Sequence, residues 1–171
     1  MIVLLNGAFG IGKTTVAREF AARFPRTLLF DPEWIGIPLQ RLSGVDDFQD
    51  LRIWRRLTIL GLRIARLFRP NIVVPMAFSN PAYLQEIRAG VHSFDDHVVH
   101  FCLVAPLDVV QSRLRNRGAT EANAPWQYRR ASECCAAHTR DEFAEHIAAA
   151  DRNPPAIVAD LIAQLPRQPA V

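Results

Sequence analysis

Residues 1–20 read MIVLLNGAFGIGKTTVAREF, and the fold is decided within them. Positions 2–5 are continuously apolar and run into a glycine-rich stretch. A short apolar run bounded by such a loop reads as a strand of a parallel sheet, buried on both faces. Positions 13–24 then read as a helix stopped near Pro25. Between them, GAFGIGKT at 7–14 matches G-x-x-x-x-G-K-[ST], a phosphate-binding loop set between a strand and a helix. Each residue type has a physical reason to be there. Gly7, Gly10 and Gly12 let the backbone wrap closely around phosphate. The amides of the stretch Ala8, Phe9, Ile11 and on to Thr15 point at the phosphates, and the helix N-terminus adds its dipole. The Thr14 hydroxyl suits Mg²⁺, and Thr15 reaches the α-phosphate. Lys13 is the only lysine among 20 lysines and arginines. A compact ammonium on a flexible stem reaches the β- and γ-phosphates in a way a planar guanidinium does not.

The rest of the chain extends this start into an alternating pattern. Apolar strand-like runs are expected at 27–30, 71–76, 98–104 and 145–149. Helices are expected at 46–68, from 80 to about 90, and at 107–117 and 126–138, with a last one capped by Asn153 and ending before Pro166. A proline-containing loop is expected from Asp31 to about Gly44. Alternation of this kind gives an α/β fold: a three-layer P-loop NTPase fold, with about five parallel strands, helices on both faces and a small helical lid. With 171 residues the chain reads as one domain, 1–171, the lid lying at about 113–130 within it.

Composition narrows the function classes. Charged residues are 22 % and the net charge is +3 with a pI near 9.1, which suits anionic ligands without calling for nucleic acid. The three cysteines, Cys102, Cys134 and Cys135, are odd in number and two are adjacent, so a cytoplasmic, reducing setting is expected rather than a disulfide framework. No run has the length of a membrane span or the layout of a signal peptide. No guanine-specific N/T-K-x-D signature exists, which argues against a GTPase. The run NIVVPM ends without the acidic residue that holds Mg²⁺ in motor-type ATPases.

Acidic chemistry is found instead at Asp31, which ends the second apolar run on the same edge as the phosphate loop. It is a candidate to orient an acceptor hydroxyl, take its proton or help hold Mg²⁺, with Glu33 as a second candidate. Arg113 and Arg117 share a helix face at i, i+4 and precede a small-residue loop, so both are candidates to close on nucleotide, Arg117 with a catalytic role beside Lys13 and Asp31. Trp34, Trp54, Phe78 and Trp126 are candidate walls of an acceptor pocket.

Four stretches together, NGAFGIGKT, DPEWIG, DDFQD followed by Trp54, and IVVPM, resemble the ATP-binding tunicamycin-resistance proteins, over residues 1 to about 165. The resemblance implies ATP and Mg²⁺ as cofactors, kinship with small kinases and a tunicamycin-like nucleoside as small-molecule substrate. Phosphoryl transfer to a hydroxyl of that compound is the favoured activity. ATP-dependent sequestration of the drug and a nucleotide or nucleic-acid kinase are the alternatives. Members can carry a basic amphipathic C-terminal tail for a membrane surface, whereas here AQLPRQPAV is short and proline-rich. A peripheral position at the inner face of the membrane is therefore not favoured, and the apolar stripe of the 46–68 helix is expected to serve as core and substrate wall.

Overall fold

The computed structural model describes residues 1–166; the end of the AQLPRQPAV segment lies outside them. Five strands, β1 (Ile2–Gly7), β2 (Thr27–Leu29), β3 (Asn71–Met76), β4 (Val98–Val104) and β5 (His146–Ala148), form one sheet in the order β2-β3-β1-β4-β5. Every pairing is parallel, with Ile2 opposite both Ile72 and Val98. The helices are α1 (Lys13–Arg23), α2 (Glu33–Ser43), α3 (Arg52–Phe68), α4 (Pro81–His92), α5 (Leu107–Asn116), α6 (Pro125–Ala137) and α7 (Pro154–Ala163).

The continuous apolar run of β1 serves two cores at once. Val3 and Leu5 point into a layer shared with Val16 and Phe20 of α1, Val110 of α5 and Val158 of α7. Ile2 and Leu4 point the other way, against Trp54 and Leu62 of α3 and Ile87 of α4. Alternation of Cβ direction along a strand produces this division, and burial on both faces makes every residue of β1 and β3 inaccessible. The three-layer α/β architecture expected from sequence is the one observed.

Two local expectations are corrected. The stretch after Asp31 is a helix, α2, although Pro38 lies inside it. Pro32 begins it, Gly44 ends it in the left-handed conformation with its amide on the Gln40 carbonyl, and Gly36 is buried. The single helix expected over 46–68 is broken at Leu51. Asp47 accepts the Gln49 amide at 2.9 Å and starts a short 3₁₀ turn, Phe48–Asp50, before α3 begins at Arg52.

A third correction concerns the apolar stripe of α3. Trp54, Thr58 and Leu62 are buried, but Leu60 and Ile64 are each 50 % exposed and Leu67 is 79 % exposed. That stripe is therefore not core throughout. No helix among the described residues is long and apolar enough to cross a membrane.

Candidate nucleotide and acceptor site

The sheet order puts β1 between β3 and β4, so the loop leaving β1 sits at the middle of the sheet's carboxyl edge, where ligands of such folds collect. Two glycines shape it. Gly10 has φ +85°, and a Cβ there would lie 2.7 Å from Leu114 Cγ, so the loop is packed down onto α5. Gly12 has φ +103°, and a Cβ there would meet no heavy atom within 4 Å, so the backbone opens onto free space at the start of α1. No side chain caps that helix start, and its first turn holds no acidic residue. The N-terminal amides are left for an anion.

Lys13 is buried beneath this opening. Its Nζ lies 3.4 Å from the Ala8 carbonyl oxygen and 4.7 Å from the centre of the Phe9 ring. Burial holds its pKa below the ordinary lysine value. Glu33 is the foremost charge pulling it back up, ahead of Asp31, while Arg117 pushes it further down. The Glu33 carboxyl is in turn pushed up by burial and drawn down by Lys13. Lys13, Asp31, Glu33 and Arg117 thus share one electrostatic neighbourhood. Asp31 accepts the Glu33 amide at 3.1 Å through one carboxylate oxygen, the arrangement of a turn-forming aspartate. Thr14 is half-buried and Thr15 exposed at the same helix start.

Cavities flank the loop on both sides. One of about 310 Å³ is lined by Gly12, Thr15, Arg113, Arg117, Arg152 and Pro154. Another of about 330 Å³ is lined by Phe9, Glu33, Ile37, Gln40, Phe48 and Trp126. Each has the size of a small-molecule site. A third, of about 350 Å³, is walled mainly by apolar groups, among them Leu103, Pro106 and Cys135. It brings no carboxylate or cation to its surface, whereas a further cavity of about 320 Å³ is lined by Asp46, Asp47, Asp50, Arg129, Arg130 and Glu133. Among the described residues there is no cluster of three metal-ligating side chains.

The candidate arginines divide by role. Arg113 donates to the Ile11 carbonyl at 2.8 Å, to the Ala149 carbonyl at 2.7 Å and to the Ala150 carbonyl. Its guanidinium fastens the phosphate loop to the end of β5 while lining the first cavity. Arg117 is exposed at the end of α5 and makes no ion pair among the described residues. The segment expected to move as a lid also divides. Trp126 sets its ring edge-on to Phe9 at 4.9 Å, and Tyr128 is buried with its hydroxyl on the Ala119 carbonyl at 3.1 Å. The α6 half is therefore packed, and residues 115–124 remain as an exposed connection.

Of the aromatic candidates, Trp126 lines the cavity of about 330 Å³, and Trp34, Trp54 and Phe78 do not. Trp34 is 72 % exposed. Trp54 and Phe78 are buried, their ring centres 5.8 Å apart, and the Trp54 indole N–H donates to the Pro32 carbonyl at 2.9 Å. They form a block beside a crevice of about 10 Å³ that admits no ring.

Sequence reasoning missed the polar frame around that block. Arg130 of α6 reaches Glu133 at 2.6 Å, Ser79 at 2.9 Å, the Ala77 carbonyl at 3.1 Å, Asp47 at 3.2 Å and Gln49 at 3.3 Å. It joins α6, the end of β3 and the 3₁₀ turn in one knot. Burial pushes the Asp47 carboxyl up, and the Gln49 amide and Arg130 draw it back. Asn6, at the end of β1, exchanges two hydrogen bonds with the Phe78 backbone, at 2.8 and 3.1 Å, and His138 Nε2 lies 2.7 Å from the Phe78 carbonyl. Only the DDFQD stretch gave a hint of this network, since nothing in sequence separates Arg130 from Arg129 beside it.

Residues 2–133 match the AAA_33 family model, an AAA domain. Among solved structures, the tunicamycin resistance protein of Deinococcus radiodurans is similar over 95 % of this chain and 94 % of that one, at 30 % identity and a TM-score of 0.76. A gluconokinase from Sinorhizobium meliloti 1021 is similar over 94 % and 89 % (14 % identity, TM-score 0.64). A shikimate kinase from Bacteroides thetaiotaomicron is similar over 95 % and 96 % (17 % identity, TM-score 0.64). The last two share the fold. No curated protein sequence matches the chain.

Proposed function

The chain belongs to the AAA_33 family and to the P-loop kinase-like family of the tunicamycin-resistance proteins, and from that premise we propose that it transfers a phosphoryl group from ATP to a hydroxyl of tunicamycin or a related nucleoside-type compound. The observation that carries this reading is the uncapped start of α1 with Lys13 buried at it, in a loop bordered by two cavities of small-molecule size, one of them lined by Glu33. ATP enters from the side of Gly12 and Thr15. Its phosphates take the unused amides at the start of α1, and its base takes the cavity between Arg113 and Pro154. The acceptor enters from the side of Phe9, Ile37 and Trp126.

In the transfer, the acceptor oxygen bonds to the γ-phosphorus as the bond from that phosphorus to the ADP oxygen breaks. Glu33 takes the proton of the acceptor hydroxyl. Its burial brings its pKa towards neutrality, where a carboxylate is a better general base. Lys13 and Arg117 face the charge that spreads over the moving group. Mg²⁺ fits the donor types present: the Thr14 hydroxyl would hold it, with the second oxygen of Asp31, which takes no hydrogen bond among the described residues, as a further donor. The ion would supply charge neutralisation between the phosphates. Incubation with γ-labelled ATP and tunicamycin tests the reading. Label in the drug supports transfer, whereas ATP-dependent retention of unlabelled drug would replace it with sequestration.

A further inference from the structure

Helix α3 is apolar on two faces and has no acidic residue. At ~100° per residue, buried Trp54, Thr58 and Leu62 lie on one side of its wheel. Ile53 (51 % exposed), Leu60, Ile64 and Leu67 fall on the opposite side, within a sector of ~60°. Arg52, Arg56 and Arg63, all exposed, fill the adjoining sector. Phe68, 73 % exposed, ends the helix, and exposed Arg69 follows it. The inner flank of α3 is already occupied. Arg55 pairs with Glu86 at 2.6 Å and Arg66 pairs with Asp95, both tying α3 to α4 or the turn after it. Arg52, Arg56 and Arg63 make no ion pair among the described residues.

We infer that this outer face of α3 seats the protein on an anionic lipid bilayer. Large exposed apolar groups in a row mark a contact surface. A row flanked by arginines is the pattern of a helix lying in a membrane interface, its apolar side chains at acyl depth and its guanidinium groups among headgroup phosphates. Charge selects this occupant over a second copy of the chain. A two-fold contact sets a patch against itself, so arginines would meet arginines with no carboxylate on the helix to answer them. Charge also sets the lipid: the face carries cations only, so it distinguishes anionic headgroups from zwitterionic ones. The contact uses α3 itself and needs no C-terminal tail.

The test is co-sedimentation of the full chain with phosphatidylcholine vesicles and with 3:1 phosphatidylcholine–phosphatidylglycerol vesicles. Binding to the anionic vesicles is expected to exceed binding to the neutral ones by about tenfold or more, and to weaken at 0.5 M NaCl as screening shortens the reach of the arginines. The variant L60S/I64S/L67S and, separately, the variant R56Q/R63Q are each expected to lose about tenfold of that binding while keeping the wild-type unfolding temperature within a few degrees. Thermal unfolding and ATP binding, read on the same samples, certify that each variant is folded. Equal binding to both vesicle types, absence of binding, or binding unchanged in both variants would overturn the inference. So would a wild-type dimer in light scattering that the apolar variant turns into monomers, because the face would then be a self-contact.

Discussion

Replacing Lys13 by Met separates what this residue does for the fold from what it does for a ligand. Its ammonium is buried, yet among the described residues its one hydrogen-bond contact is the Ala8 carbonyl at 3.4 Å, and no carboxylate lies within ion-pair distance. Methionine has nearly the same length and no charge to desolvate. Exchanging a poorly paired buried ion for an apolar group of like volume is neutral to stabilising, by about 1–2 kcal/mol here. For a chain of this size that is a rise of roughly 2–8 °C in Tm. The sign with pH follows from the lowered pKa of Lys13. Between the folded-state pKa and 10.5, the unfolded chain holds the proton and the folded chain does not, so wild-type stability rises with pH across that window. The advantage of K13M is therefore full below the folded-state pKa and vanishes as pH passes 10.5. Transfer to the drug should fall by about 10²-fold or more, the scale of a lost transition-state charge contact. The assays are thermal unfolding at pH 7 and pH 10.5 and phosphoryl transfer from labelled ATP. A K13M protein less stable than wild type by more than about 1 kcal/mol at pH 7 would refute the reasoning, since Lys13 would then be holding the fold together.

Three further outcomes are expected. Glu33→Gln should abolish transfer with ATP affinity kept, whereas Asp31→Asn should cost about 1 kcal/mol of stability through the weakened turn and lower activity less; titration calorimetry beside turnover checks the pair, and equal losses would return the base role to Asp31. His100 and His138 are buried and held neutral, each with its pKa lowered to about 4, so the unfolded chain takes up protons that the folded chain refuses as pH falls below 6.5. Each should cost about 3 kcal/mol of stability by pH 4, and denaturant titrations of H100Q and H138Q at pH 7 and 4.5 should show a shallower acid loss than wild type. Residues 115–124 should exchange amide hydrogens quickly without nucleotide and slowly with a non-hydrolysable ATP analogue, while 126–130 stay protected in both states; mass-resolved hydrogen exchange reads this, and equal protection of 115–124 in both states would remove the lid.

The phosphate loop was legible because its chemistry lies in consecutive residues and its strand and helix flank it directly. The five parallel strands followed from apolar runs spaced by helical patterns. What failed was whatever depends on which side of an element faces inward. In α3, Leu60, Ile64 and Leu67 have core-like spacing, but the inner face is made of Trp54, Thr58, Leu62 and the small residues Gly61 and Ala65. A helix with two apolar faces gives one periodicity and no direction. In α2, Pro38 reads as a break, yet the turn at Asp31 and the close of the helix at Gly44 carry it through. The arginines defeated sequence reading for a related cause: Arg113, Arg117 and Arg130 are one residue type in one region, and only packing makes the first a strut, the second free in solvent and the third the centre of a knot.

That division also bears on why the chain's single lysine stands where it does. The buried or half-buried arginines are each held by several groups of the fold: three backbone carbonyls for Arg113, five groups for Arg130, whose Nε alone is left without a hydrogen bond among the described residues, and Glu86 with the Gln49 carbonyl for Arg55. A guanidinium's five donors make such multiple anchoring easy, and an anchored cation is not free to turn towards a ligand. Lys13 is as buried as these, with one long contact and an ammonium held below its usual pKa. A fold under selection for stability alone would fill that position with an apolar side chain or give the charge a carboxylate. An under-coordinated cation beneath a row of unused helix amides gains its missing partner only when an anion enters, so the unfavourable burial in the free protein is converted into affinity for the phosphate chain. An arginine at 13 would find carbonyls within reach of its fork, as Arg113 does, and would be spent before the ligand arrived.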